Sequence, residues 1–176
     1  LYVMAIAPNL VSLLTEKGSI TAMAAAQIAG LVGLVTIIAR MSAGFLLFLL
    51  PAHIVGACIF MLPVLGCALM LLDSPDFLVM TIAVICFGMT IGAEFDVIIY
   101  LTSRQFGLKA FGAIFGAMIT AGAFGGAISP VTSGAIHDRF GNYDPMLMLL
   151  MGLMTLCALA ILTIGRPEQN WSKFDE

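Results

Sequence analysis

The stretch Phe87-Gly-Met-Thr-Ile-Gly-Ala-Glu-Phe-Asp-Val-Ile-Ile-Tyr-Leu-Thr-Ser-Arg-Gln-Phe-Gly107 places two carboxylates, Glu94 and Asp96, inside a run otherwise apolar enough to cross a bilayer. Ionisable groups at such a depth are expensive, so they mark either a function or a paired contact on which the fold depends. The surrounding sequence makes a membrane setting hard to avoid. Of 176 residues, 61% are hydrophobic and only 10% charged, and the mean hydropathy is +1.12, well outside the range of soluble domains. A net charge of -3 provides no basic footprint, which sets nucleic-acid binding aside.

Cys58, Cys67, Cys86 and Cys157 all lie in apolar stretches without Cys-x-x-Cys spacing, and they read as small packing residues rather than a zinc or redox site. His53 and His137 read as isolated, interfacial residues with no metal partner at helical spacing, so neither a metal nor a cofactor is expected. The chain opens on Leu1 with no basic n-region, which reads as a cut inside a helix and not as a signal peptide.

A hydrocarbon core of roughly 30 Å needs about 20 residues of helix. By that measure the spans fall at about 1–15, 20–47, 52–72, 77–103, 110–136 and 145–164, giving five complete spans and one clipped one, with a polar tail at 166–176. Met41 to Leu72 would otherwise form a helix of about 48 Å, and Pro51 is the natural break. Polar turns are expected at Thr15 to Ser19 and Asp73 to Asp76, and a loop at Arg104 to Lys109. With the tail in the cytoplasm, Arg104, Lys109, Arg166 and Lys173 lie inside against Lys17 and Arg139 outside, an orientation consistent with a multi-pass protein of the cell inner (plasma) membrane.

Close backbone approach through small residues holds helices together in lipid. The fifth span offers Gly112 with Gly116 and Gly122 with Gly126, followed by Ser129-Pro130, and Gly88 with Gly92 form a third pair on the fourth span. These residues serve packing, or else let a helix bend or slide in a transport cycle.

At about 100° per residue, Glu94 and Asp96 point roughly 200° apart and cannot share one cavity. Counted from the middle of the expected spans, Glu94, Asp96 and Arg40 lie about 6, 9 and 10 Å toward the same side, so an interhelical ion pair is feasible. Asp96 leads through Tyr100 to Arg104 at i+4 spacing, which suits a structural or gating pair with Arg40 or Arg104. Glu94 is either a proton-handling or substrate-side group, or a member of another buried pair. Arg40 is either a snorkelling or paired arginine, or a guanidinium that binds an anion.

Two longer stretches carry a family resemblance. Gly92-Ala-Glu-Phe-Asp-Val-Ile-Ile-Tyr-Leu-Thr-Ser-Arg-Gln-Phe-Gly-Leu-Lys-Ala-Phe-Gly-Ala-Ile-Phe-Gly116 and Gly125-Gly-Ala-Ile-Ser-Pro-Val-Thr-Ser-Gly-Ala-Ile-His-Asp-Arg-Phe-Gly-Asn-Tyr143 resemble the C-terminal half of a major facilitator superfamily transporter, in the bacterial branch similar to monocarboxylate transporters. The resemblance implies an all-α integral membrane fold, a six-helix half of a twelve-helix transporter with its first helix truncated. It implies a partner N-terminal half, a cavity between the halves, and alternating access.

Ala39-Arg40-Met-Ser-Ala-Gly44 matches the setting of the family's substrate-binding arginine. The acidic residue that serves proton coupling four positions earlier in some members is Thr36 here, which leaves Glu94 as the local substitute. The family's Gly-x-Leu-x-Asp-Arg loop is replaced by the uncharged Gly44-Phe-Leu-Leu-Phe-Leu49. Gly134 to Gly141 superficially resembles that motif and reads as a glycine and aspartate turn.

The expected function is secondary transport of a small organic anion, a monocarboxylate foremost, with or without protons. The alternative is a non-transporting membrane scaffold or sensor of the same fold. An enzyme is not expected, because no nucleophile, base or metal set converges.

Overall fold

The computed structural model describes residues 2–18, 20–72 and 76–164. Among these the chain forms six helices: α1 (Tyr2–Gly18), α2 (Ala22–Leu49), α3 (Ala52–Met70), α4 (Phe77–Gly107) and α5 (Lys109–Phe140), and α6 (Asp144–Ile164). The last five are long and apolar enough to cross a membrane. Leu34, Ile37, Phe45, Phe48 and Leu156 lie on the outside of the bundle. Such a surface is stable against hydrocarbon, where the helix satisfies every backbone group internally.

The ends of the helices follow local chemistry. Thr21 caps α2, its hydroxyl accepting from the Ala24 amide at 3.3 Å, so the helix starts at Ala22 rather than near residue 20. Leu50 and Pro51 separate α2 from α3. The loop expected at Arg104 to Lys109 is much shorter. Helix α4 continues to Gly107, where φ of 68° and ψ of 173° break the ladder, a conformation only glycine adopts readily. Ser103 and Arg104 lie within the helix, the Ser103 hydroxyl donating to the Tyr100 carbonyl and the Arg104 guanidinium lying over the Tyr100 ring.

Gly134 to Phe140 is likewise helix and not a turn; α5 stops at Gly141, whose φ of 72° and amide bond to the His137 carbonyl form a left-handed cap. Helix α1 also runs on through Gly18. The expected Asp73 to Asp76 turn falls largely outside the described residues, and the polar tail at 166–176 wholly so.

Two cores hold the bundle. The larger joins Leu10, Leu13 and Leu14 of α1 with Ile28, Met70, Met80, Phe87 and Leu147, residues that are almost fully buried. The smaller joins Ala43 and Leu47 of α2, Val55 and Ile59 of α3, and Ala93 and Val97 of α4. Helix α4 lies between α2 and α3. Its Thr90 hydroxyl donates to the Ile59 carbonyl across the α3 seam at 3.1 Å, a bond with no competing water in lipid.

The small-residue seams lie elsewhere than expected. A Cβ added at Gly112, Gly116 or Gly122 of α5 would meet nothing within 4 Å, and Gly126 is only half-buried. Among the described residues, Gly112, Gly116 and Gly122 therefore make no close packing contact. Close packing instead uses Gly88 and Gly92, where α2 leans on α4, and Gly56 and Gly66, where α3 meets α4 and α6. Pro130 lies inside α5, on its exposed side.

Candidate functional site

Helices α2 and α4 run parallel, and their contacts advance together along both chains. A Cβ at Gly88 would lie 3.0 Å from Val35 Cβ; one turn on, a Cβ at Gly92 would lie 2.5 Å from the Thr36 carbonyl oxygen and 2.8 Å from Ala39 Cβ. The Thr36 hydroxyl donates to the Gly88 carbonyl at 3.4 Å. One further turn places Arg40 opposite Asp96, with Nε 3.5 Å from Oδ2. The ion pair is thus set by backbone contact at the preceding turn.

The pair is open. The Arg40 side chain is 60% exposed and that of Asp96 33%. The Nε–Oδ2 distance is long for a charge-assisted hydrogen bond, and the exposure of the Arg40 side chain leaves it open to a second anion. Asp96 pairs with Arg40, while Arg104 lies 5.2 Å above the Tyr100 ring centroid. From the middles of the observed helices, Arg40 and Asp96 lie about 7 and 6 Å off centre and Glu94 about 3 Å. All three sit deeper than expected, because α2 and α4 both extend further on that side.

Glu94 shares a helical face with Phe87, Ile91 and Ile98, which belong to or pack against the larger core. It is half-buried and has no hydrogen bond or ion pair with another described residue. It therefore faces away from Arg40, and the structure does not bring the two together.

Beside the pair, a cavity of about 200 Å³ opens between α2, α3 and α4, lined by Ala39, Ser42, Ala43, Ile54, Cys58 and Ala93 among others. Its lining is almost entirely apolar, and Ser42 turns its hydroxyl back to the Ala39 carbonyl. The charge chemistry belongs to Arg40, outside this cavity. Cys67 and Cys86 are buried, Cys58 and Cys157 exposed, and none is bonded to another. No three His, Cys, Asp or Glu side chains among the described residues converge as a metal site.

A second polar zone, at the other end of the bundle, went unnoticed in the sequence. Lys17 of α1 pairs with Asp144 of α6. Glu16 lies 3.2 Å from His137 Nε2, whose ring packs 4.5 Å from Tyr143. His137 is therefore not isolated, a correction to its reading from sequence: the helix continues past Gly134 and carries it onto α1. Deeper in, Asn9 donates to the Ser133 hydroxyl at 3.0 Å, and Ser133 contacts Met146 sulfur. The spacing of Ser129 and Ser133, one turn apart and both buried, was the available signal.

No family model, curated protein or solved structure matches this chain.

Proposed function

We propose that this chain is one six-helix half of a secondary transporter that moves a small organic anion, a monocarboxylate foremost, by alternating access. A companion half supplies the rest of the cavity. Arg40 carries the reading: it is an arginine within a membrane-length helix, more than half exposed, with its counter-ion Asp96 at 3.5 Å from Nε. A planar guanidinium that is more than half exposed suits two-point contact with a carboxylate.

Glu94 is the proton-handling group of the proposal, because it is a carboxylate close to the middle of α4 with no hydrogen bond or ion pair to another described residue. In this arrangement anion and proton cross together, as symport. The end bearing Arg104 and Lys109 faces the cytoplasm, and Lys17 and Arg139 face the opposite side.

The test is uptake of labelled monocarboxylates by the full-length transporter reconstituted in vesicles. Arg40→Ala is expected to reduce uptake about a hundredfold, the usual effect of removing one member of a desolvated charge contact. Uptake at the wild-type rate in that variant removes Arg40 from the substrate site.

A further inference from the structure

We infer that His137 is a protonation-dependent latch that holds the far end of α5 on α1, tight when the imidazole is charged and loosened when it is neutral. The latch lies at the end of the bundle opposite Arg40 and does not depend on the transport reading.

Helix α5 is a lever of about 48 Å. It joins α4 through Gly107, whose φ of 68° interrupts the helical ladder. No residue from Lys109 to Ile128 is buried, and the buried residues of α5 are Ser129 and Ser133, in its second half. Near the hinge Thr102 of α4 contacts Met118. At the far end Asn9 of α1 donates to Ser133, and Glu16 of α1 lies 3.2 Å from His137 Nε2. Of these contacts only the last carries an imidazole, the side-chain type whose charge ordinarily changes between about pH 5 and 8.

Around His137 lie Glu16 and Lys17 of α1, Tyr143 and Asp144 at the start of α6, and Asp138 and Arg139 beside it on α5. Lys17 and Asp144 pair with each other, and Arg139 lies over Phe140, so Glu16 is the described carboxylate in contact with the imidazole. With His137 neutral the group sets three carboxylates against two cations, and a proton on the imidazole balances it. The proton also places a cation 4.5 Å from the Tyr143 ring. Both contacts are stronger with the charged ring, so the latch tightens as pH falls and loosens as pH rises. The two side chains are 38% and 31% exposed, and solvent screening limits the change in docking to about two- to fivefold.

The test uses the full-length protein in detergent micelles with Ile136→Cys as reporter, a half-buried position beside the latch that packs against the larger core. Its modification by a water-soluble maleimide is read by mass spectrometry at residue 136, with and without His137→Gln, so the pH dependence of the thiol itself cancels. Glutamine keeps a hydrogen-bond donor and never carries charge. Near pH 5.5 the reporter is expected to react about two- to fivefold more slowly beside His137 than beside glutamine, and near pH 8 the two rates are expected to converge. A ratio that is the same at both pH values overturns the latch. So does a pH-dependent ratio that survives Glu16→Gln. Asp144→Asn is expected to keep the pH dependence, and its loss in that variant but not in Glu16→Gln assigns the effect to the Lys17 pair instead. Amide exchange at Leu14 to Gly18, corrected for its intrinsic pH dependence, makes the same comparison without a reporter. Slower exchange in the wild type than in His137→Gln is expected at low pH only, and an equal difference at both pH values overturns the latch as well.

Discussion

Gly92 lies so close to Thr36 that a Cβ added to it would sit 2.5 Å from the Thr36 carbonyl oxygen. That contact fixes the spacing of α2 on α4 and, one turn on, the meeting of Arg40 with Asp96. Neighbouring backbone and the Ala39 methyl cannot swing aside as a flexible side chain would. Gly92→Ala is therefore expected to destabilise the bundle by about 1–3 kcal/mol through overpacking. Gly112→Ala, at a position where nothing lies within 4 Å, serves as the control and is expected to be neutral or slightly stabilising. Thermal unfolding in a mild detergent measures both. Equal effects in the two variants would show that the crossing tolerates the added methyl.

Arg40 and Asp96 are coupled through one charge contact, so their substitutions should not be additive. Removing Arg40 alone leaves Asp96 as a lone charge at bilayer depth; removing both leaves none. The double variant Arg40→Ala, Asp96→Ala is expected to be more stable than Arg40→Ala alone, with a coupling of about 0.5–1 kcal/mol given the exposure of the pair. A double-mutant cycle by denaturant or thermal unfolding gives this value. Strict additivity would mean that lipid headgroups or water satisfy each charge separately.

The helices were readable from the sequence because apolar length alone decides a membrane span, and the positions of Pro51 and of the acids within the fourth run were plain. Which glycines pack was not readable. Gly112 and Gly116 have the same spacing as Gly88 and Gly92, and only the tertiary arrangement puts the second pair, and not the first, against a neighbouring helix. Periodicity placed Glu94 and Asp96 on different faces, but it could not choose between Arg40 and Arg104 as the partner of Asp96. That choice depends on the parallel register of α2 and α4. Gly107 was masked for a different reason: a single left-handed residue breaks the ladder between α4 and α5, while the polar residues before it remain helical.

Glu94 has no hydrogen-bond or ion-pair partner among the described residues, so its carboxylate adds little to the folded state. Glu94→Gln is expected to leave thermal stability unchanged or raise it by up to about 1 kcal/mol, since an amide is less costly than a charge in that setting. On the proposed transport reading, the same variant of the full-length protein is expected to lose the pH dependence of carboxylate uptake while still exchanging substrate across the membrane. An unaltered pH profile would assign proton handling to another group. A marked loss of stability would instead reveal a partner for Glu94 outside the described residues.

Buried polar contacts between helices are worth only modest energies in lipid, because the alternative state also finds partners. Ser133 is nonetheless a test of how α5 is held, since it accepts from Asn9 of α1 and contacts Met146 of α6. Ser133→Ala is expected to cost about 0.6 kcal/mol, and at most about 1.7. The nearly equal size of alanine leaves the packing intact, so the loss reports the hydrogen bond. Asn9→Ala in the Ser133→Ala background should then cost less than it does alone, and unfolding of the four proteins in detergent measures the difference.

Asp144 opens α6, where a helix favours negative charge, and Lys17 closes α1, where it favours positive charge. Their pairing thus satisfies two helix ends at once, and the Lys17 side chain is only 15% exposed. Asp144→Asn keeps the shape of the side chain but removes the charge. It is expected to loosen the last turn of α1 by about 1 kcal/mol, seen as roughly fivefold faster amide exchange at Leu14 to Gly18. The difference from wild type should shrink only modestly as salt is raised, because with the Lys17 side chain 15% exposed and that of Asp144 34% the pair is only partly open to screening. Equal loosening in Asp144→Asn and Asp144→Glu would attribute the effect to lost packing at the start of α6 and not to charge. His137→Gln provides the comparison: Glu16 loses its imidazole partner while the Lys17 contact stays, so exchange in the same turn should rise less than in Asp144→Asn.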